Sequence, residues 1–152
     1  MLEFITEISA DKKIGGVHCV PVLDNGNLVM VWDREEKVLS TIGGRISSNE
    51  SIMQCLDREV MEEAGIELTD ERTLFASWHW KEFDAYRLYY LAKVKSFVEI
   101  PVGYETTGYV IMNFETAIEM IKKIEGREER IEVIRKAGVM AGELKEEESN
   151  SG

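Results

Sequence analysis

Apolar positions recur along the chain with two different periods. Val17-His18-Cys19-Val20-Pro21-Val22-Leu23 is an apolar, partly β-branched run, and a second one, Leu28-Val29-Met30-Val31-Trp32, follows Asp24-Asn25-Gly26-Asn27. Two such runs around Asn-Gly predict a β-hairpin with a tight primed turn, because both residues tolerate positive φ. Pro21 predicts a sheet edge or a bulge, since it has no amide to give to a ladder. Val38 to Ile42 reads as a short third strand ending at Gly43-Gly44. Leu74 to Lys81 and Tyr86 to Val94, rich in Trp, Tyr and Leu, read as two strands joined by a turn at Glu82-Phe83-Asp84-Ala85. Tyr109 to Asn113 reads as one more short strand.

The other period is helical. Ser47-Ser48-Asn49-Glu50-Ser51 carries capping residues, and Ile52 to Ala64 has helical spacing closed by Gly65. Phe114 to Ile124 and Glu128 to Ala137 read as two further helices separated near Gly126. No repeat or linker divides the chain. Strands, one inserted helix, more strands and then helices predict an α/β (α+β) fold, a mixed sheet with helices packed on it. We place a single domain over residues 1–142, followed by an acidic, disordered tail over 143–152.

At about 100° per residue, Ile52, Met53, Leu56, Val60 and Ala64 form a core-facing stripe on the first helix. Gln54, Asp57 and Met61 lie roughly opposite. Beside the stripe, Glu59, Glu62 and Glu63 share one arc through their i, i+3, i+4 spacing. Like charges so placed repel, and a hard divalent cation with oxygen ligands would remove the repulsion. Arg58 is placed to hold a carboxylate in fork geometry, with Glu62 or Glu50 as its partner. Glu50 has a second possible task in capping. A solvated Glu/Arg face is the simpler reading of the three glutamates taken alone.

Composition narrows the function classes. The 152 residues fit one core, and a formal net charge of −11 disfavours binding to long nucleic acids, which requires a basic footprint. A nucleotide neutralised by divalent cations stays compatible with that charge. Cys19 and Cys55 give neither a disulfide framework nor metal-ligand spacing, and the Met1-Leu2-Glu3-Phe4 start lacks signal-peptide features. No apolar run has the length of a membrane span. A cytoplasmic protein with reduced thiols is the simplest expectation.

The spacing around the first helix overturns the simpler reading. Gly44, five residues, Glu50, seven residues, then Arg58-Glu59-Val60-Met61-Glu62-Glu63-Ala64-Gly65-Ile66 is a complete Nudix box. Such a pattern would arise by chance in ~10⁻⁸ of chains this long. The chain therefore resembles the Nudix hydrolases. The resemblance implies an α/β/α sandwich around a mixed β-sheet and cleavage of a nucleoside diphosphate linked to a further group, with Mg²⁺ or Mn²⁺ and an attacking water. By position it implies that Glu59 and Glu63 are the principal metal ligands. Glu62 corresponds to a further ligand or the water-activating base, Arg58 to their orienting partner, and Gly44 or Gly43 to a backbone contact with metal or phosphate. Glu105 lies in a loop where many members supply another acid, and it is read as base or ligand against an exposed loop glutamate. Ile42 stands where the family usually has proline.

Substrate choice lies outside the box. The proline common past the box in ADP-ribose-cleaving members is absent, Tyr86 lies late for the tyrosine of dinucleoside-polyphosphate hydrolases, and the signature of NADH-cleaving members is missing. The expectation is therefore a nucleoside-triphosphate pyrophosphohydrolase of the short generic type. The alternatives are a dinucleoside-polyphosphate or nucleotide-sugar hydrolase, or a non-catalytic nucleotide-binding module. Isoprenoid diphosphate isomerases share the fold but find no support in these residues. Trp78 and Trp80, on one strand face, could stack on a base, although packing is the commoner role of such residues. His18 reads as a strand residue, His79 as pointing away from the tryptophans, and Cys55 as packing near the site. Nudix proteins often form homodimers, but no interface is legible here.

Overall fold

Strand alternation sorts the apolar side chains onto two faces of one sheet, and helices close both faces. The computed structural model describes residues 1–100 and 108–146. Leu28 and Met30 of β3 (Leu28–Asp33) share one core with Val20 of β2 (Ile14–Val22), whereas Val29 and Val31 share the other with Val17 and Cys19. Helix α1 (Ile52–Ala64) covers the second core with Cys55, Leu56, Val60 and Ala64. Helices α2 (Phe114–Ile124) and α3 (Glu128–Met140) cover the first through Phe114, Ala117, Ile121, Ile134 and Ala137. The expected α/β/α sandwich is the observed architecture.

Strand β2 lies inside the mixed sheet. It runs parallel to β7 (Ala85–Phe97), with Val17 opposite Leu88 and Val22 opposite Lys93. On its other side it runs antiparallel to β5 (Ile42–Arg45), with Val17 opposite Gly44 and His18 opposite Gly43. Strand β6 (Ile66–Trp80) pairs with β7, and β1 (Leu2–Phe4) pairs with β6 at one end of the sheet. At the other end, β4 (Val38–Ser40) and β8 (Tyr109–Met112) both pair with β3.

Several local expectations change. The hairpin turn is longer than a two-residue primed turn: Asp24, Asn25 and Gly26 are spanned by Leu23 N–H to Asn27 O at 2.8 Å, and only Gly26 has positive φ. Pro21 is not on an edge strand. It faces Ala92 of β7, while on its other side the β5 ladder ends at Cys19 and the β3 ladder begins at Val22. No partner strand needs its missing amide there. The expected strand from Val38 to Ile42 is broken at Thr41, because β4 pairs with β3 and β5 with β2. Gly43 and Gly44 consequently sit within a strand rather than after one. Strand β6 starts at Ile66, well before Leu74, across a stretch whose apolar alternation stops after Leu68, with Asp70 and Glu71 exposed.

The helices follow the sequence closely. Ser51 caps α1 in a reciprocal box with Gln54, and Gly65 ends it at φ 61°. Asn113 is the N-cap of α2 rather than the end of β8, its side chain accepting from Thr116 N–H at 2.8 Å. At the expected tail, Glu143 and Leu144 donate their amides to Gly138 O, and Leu144 packs against the α2–α3 core. Among the described residues, no helix is long and apolar enough to cross a membrane.

One close approach fixes where β5 can run. A Cβ built on Gly43 would lie 2.2 Å from Val17 O and 2.6 Å from His18 Cα, both backbone atoms that cannot yield without moving the strand. At Gly15 the nearest atoms would be 3.6 and 3.8 Å away, an ordinary contact. Gly43→Ala should therefore cost about 2–4 kcal/mol in urea unfolding, and Gly15→Ala less than about 1 kcal/mol. Equal effects of the two substitutions would contradict this account of the strand.

Candidate metal and phosphate site

The capped start and glycine stop of α1 hold its acidic arc against β5. Gly44 makes room for this contact, since a Cβ there would lie 2.4 Å from Glu59 Oε1. Glu63 accepts a hydrogen bond from Gly43 N–H at 2.9 Å. Arg58 binds Glu50 as a fork, with Nε to Oε2 at 2.6 Å and NH2 to Oε1 at 3.0 Å. Its NH1 reaches Glu59 at 2.9 Å and Glu62 at 3.3 Å, and its NH2 also donates to Arg45 O at 3.1 Å. Of the two partners expected for Arg58, it takes both, and Glu59 as well. Glu50 also accepts from Ser47 N–H at 3.0 Å, so it braces the loop before α1 while Ser51 does the capping.

Electrostatics separate the glutamates. The Arg58 guanidinium holds the Glu50 carboxyl down at about 2. Burial, and then the neighbouring Glu59, push the Glu63 carboxyl up to about 8, and burial also raises Glu59. Among the described residues no cation pairs with Glu63. Among the described residues no three His, Cys, Asp or Glu side chains form one tight ligand cluster; Arg58 binds Glu59 and Glu62, and Gly43 N–H donates to Glu63. The donor set is nevertheless all oxygen and largely carboxylate, which is the chemistry of Mg²⁺ or Mn²⁺ binding.

A cavity of about 600 Å³ lies beside this helix face, lined by Gly43 and Glu63 on one part and by His18, Trp78, Trp80, Arg87, Arg127 and Arg130 on others. Asp33, Glu35 and Glu36 also line it. Both tryptophans are thus at the cavity: Trp78 packs partly against the α2–α3 core, and Trp80 carries the Arg87 guanidinium 4.9 Å from its ring centre. His79 points elsewhere, bonded to Asp84 at 2.9 Å and stacked on Tyr86. Buried His18 bonds Thr41 Oγ1 through Nδ1 at 2.7 Å, and burial with nearby Arg87 and Arg130 keeps it neutral. Cys55 is a packing residue, buried with its Sγ 3.5 Å from Arg45 O, and burial pushes its thiol up to about 12. Glu105 lies outside the described residues.

A family model described as the NUDIX domain matches residues 12–136. The chain belongs to the Nudix family. Among curated proteins, none matches this sequence. Solved structures share the Nudix fold. A NUDIX hydrolase from Nitrosomonas europaea is 20% identical with a TM-score of 0.61, covering 87% of this chain and 91% of that one. An Ap4A hydrolase from C. elegans is 15% identical with a TM-score of 0.60, covering 85% and 99%. A mutant pyrophosphohydrolase from Bacillus subtilis is 17% identical with a TM-score of 0.60, covering 73% and 70%.

The Nudix box therefore accounts for Glu63 at the cavity, but not for its arginines. Arg87 reaches the cavity from β7, cross-strand from Trp78, and Arg127 and Arg130 reach it from the start of α3. In sequence these three read as ordinary surface charges. The pairing of Arg87 with Trp78 across β6 and β7 is the one signal that a correct register would have exposed.

The two shifted carboxyls make opposite contributions to stability. Folded Glu63 holds its proton up to about 8 whereas an unfolded carboxyl loses it near 4.5, so the metal-free fold loses stability as pH rises through that window. Glu50, lowered to about 2, stabilises the fold above about 4.5, and that contribution fades as pH falls toward 2. Calorimetry in EDTA should show a higher Tm for Glu63→Gln than for the parent at pH 8–9, and little difference near pH 5. An unchanged Tm across this range would refute the burial argument for Glu63.

Proposed function

We propose that this Nudix hydrolase uses a divalent metal to cleave a diphosphate linkage in a nucleotide, with nucleoside triphosphates as the substrate class. The observation that carries this reading is Glu63 on the cavity wall, beside Glu59 and the Gly43 amide and, among the described residues, without a paired cation. Glu59 and Glu63 would hold Mg²⁺ or Mn²⁺, with Glu62 as a further ligand or base. The metal supplies charge neutralisation on phosphate oxygens and a lower pKa for bound water. Arg58 keeps Glu59 and Glu62 oriented through NH1 and is anchored by its fork on Glu50. Glu62, whose side chain is more exposed than that of Glu59, is our choice for the group that accepts the proton from water, with Glu105 as the alternative. The Gly43 and Gly44 backbone lines the phosphate path, and Trp78 and Trp80 flank the nucleoside. A small-molecule substrate and a cytoplasmic setting fit the acidic charge and the two free buried thiols.

A second substrate reading has an observation of its own. A cleft of about 420 Å³, lined by Lys13, Arg45 and Phe83, shares His18, Trp80 and Arg87 with the main cavity. Two adjoining spaces suit a two-ended substrate such as a dinucleoside polyphosphate, the class named for the C. elegans neighbour.

Nucleoside triphosphates, dinucleoside polyphosphates, nucleotide sugars and ADP-ribose should be screened with Mg²⁺ and Mn²⁺, reading phosphate and pyrophosphate release. We expect turnover of at least one class that stops in EDTA and returns with metal; silence on all of them with both metals would sink the hydrolase reading. Glu63→Gln should lower kcat/KM by about 10²-fold or more. Glu62→Gln should remove the acid limb of the pH–rate profile, and loss of that limb in Glu105→Gln instead would move the base to Glu105.

A further inference from the structure

The cavity has a cationic annex that the Nudix box does not require. A smaller space of about 220 Å³ shares Thr41, Trp78, Arg87, Arg127 and Arg130 with the main cavity. It is below the roughly 300–1,000 Å³ typical of whole-ligand pockets, so it suits one group of a ligand. Asp33, Glu35 and Glu36 line the main cavity but not this annex, whose one acidic lining residue is Glu129.

Arg87 and Arg130 are held in place, whereas Arg127 is 54% exposed and also lies 3.7 Å from Glu36. Glu125, with a side chain 7% exposed, pairs with Arg130 NH1 and lies 3.5 Å from Arg127 Nε. Arg130 is itself only 15% exposed. Arg87 lies over Trp80 and donates to Tyr89 Oη at 3.4 Å, and among the described residues no carboxylate pairs with it. Each guanidinium carries five N–H donors, and the described contacts engage one nitrogen each of Arg87 and Arg130. Glu125 and Glu36 offset charge on Arg130 and Arg127, and Glu129 lines the annex, which leaves Arg87 as the guanidinium without a carboxylate partner among the described residues. The largely buried Glu125–Arg130 pair serves the fold, but ion pairing does not account for Arg87 at the same space. Fork-shaped donors converging on a small space match phosphate oxygens.

We propose that Arg87, Arg127 and Arg130 form an anion subsite for a phosphate outside the cleaved linkage, favouring nucleotides with an extended phosphate chain. This rests on the nucleotide-hydrolase reading for its biological sense but not for its test. Glu125 is the positioning residue that orients Arg130 from the junction of α2 and α3.

The test is calorimetric binding of adenosine 5′-tetraphosphate and ADP to the full chain in EDTA, where metal-dependent turnover is stopped. The tetraphosphate should bind at least about tenfold tighter, as expected for one further charge-assisted hydrogen-bonded group. That advantage should largely disappear in Arg87→Gln and in Arg130→Gln, and persist in Glu63→Gln and in the control Lys122→Gln. Arg130→Gln strands Glu125 and could unfold the chain; Arg87→Gln breaks no ion pair and decides the matter alone. Equal binding of the two nucleotides, or an advantage that survives Arg87→Gln, overturns the subsite. Arginine-dependent binding without turnover of any substrate would reject the hydrolase reading alone, and turnover without the binding difference would reject the subsite alone.

Discussion

Helix α1 meets β5 at a distance that side chains would forbid, and the acidic site depends on that approach. Gly44 gives Glu59 the space its carboxylate fills, and Gly43 offers an amide to Glu63 while pressing on the backbone of β2. The helix can come this close with its glutamates aimed inward because Arg58 gathers Glu50, Glu59 and Glu62 around one guanidinium. Removing that cation would leave partly buried carboxylates facing one another, a costly arrangement in a medium less polar than water. The helix caps matter for the same reason, since they fix both ends of the segment on which these distances depend.

Charge in the cavity is divided although its parts share one space. Negative charge comes from Glu63 of α1 and from Asp33, Glu35 and Glu36, and positive charge from Arg87 of β7 and from Arg127 and Arg130 at the start of α3. Neutral His18, fastened to Thr41, lines the same wall without adding charge of either sign. The chain's net charge of −11 therefore says little about the surface a ligand would meet.

Local chemistry made the helices and the box readable in advance. Ser51, Gln54 and Gly65 bracket α1 by capping rules that act over a few residues, and the i, i+3, i+4 spacing of the glutamates follows from helical geometry alone. What escaped was non-local. The break at Thr41 arises because β4 and β5 choose different neighbours, a decision made by strands far away in sequence. Strand β1 is three residues long and has no pattern to read. Arg87, Arg127 and Arg130 each look like surface charges until the fold brings β7 and α3 to the same cavity. Trp78 and Trp80 were paired correctly by strand alternation, but the guanidinium over Trp80 comes from the facing strand and follows only from register.

The parallel pairing of β2 with β7 also sets an order of events for the growing chain. Residues 14–22 have their long partner at 86–93, beyond α1 and all of β6. Pairings at such sequence separation close large loops and form late and slowly. Every residue of the box has been synthesised by Ile66, yet β2 at that point still presents an unpaired edge where β7 will lie. The helix could form early from its own caps, but the wall it packs against becomes a sheet interior only when residues past Lys93 arrive. A ribosome that has finished the motif has therefore not yet finished the site.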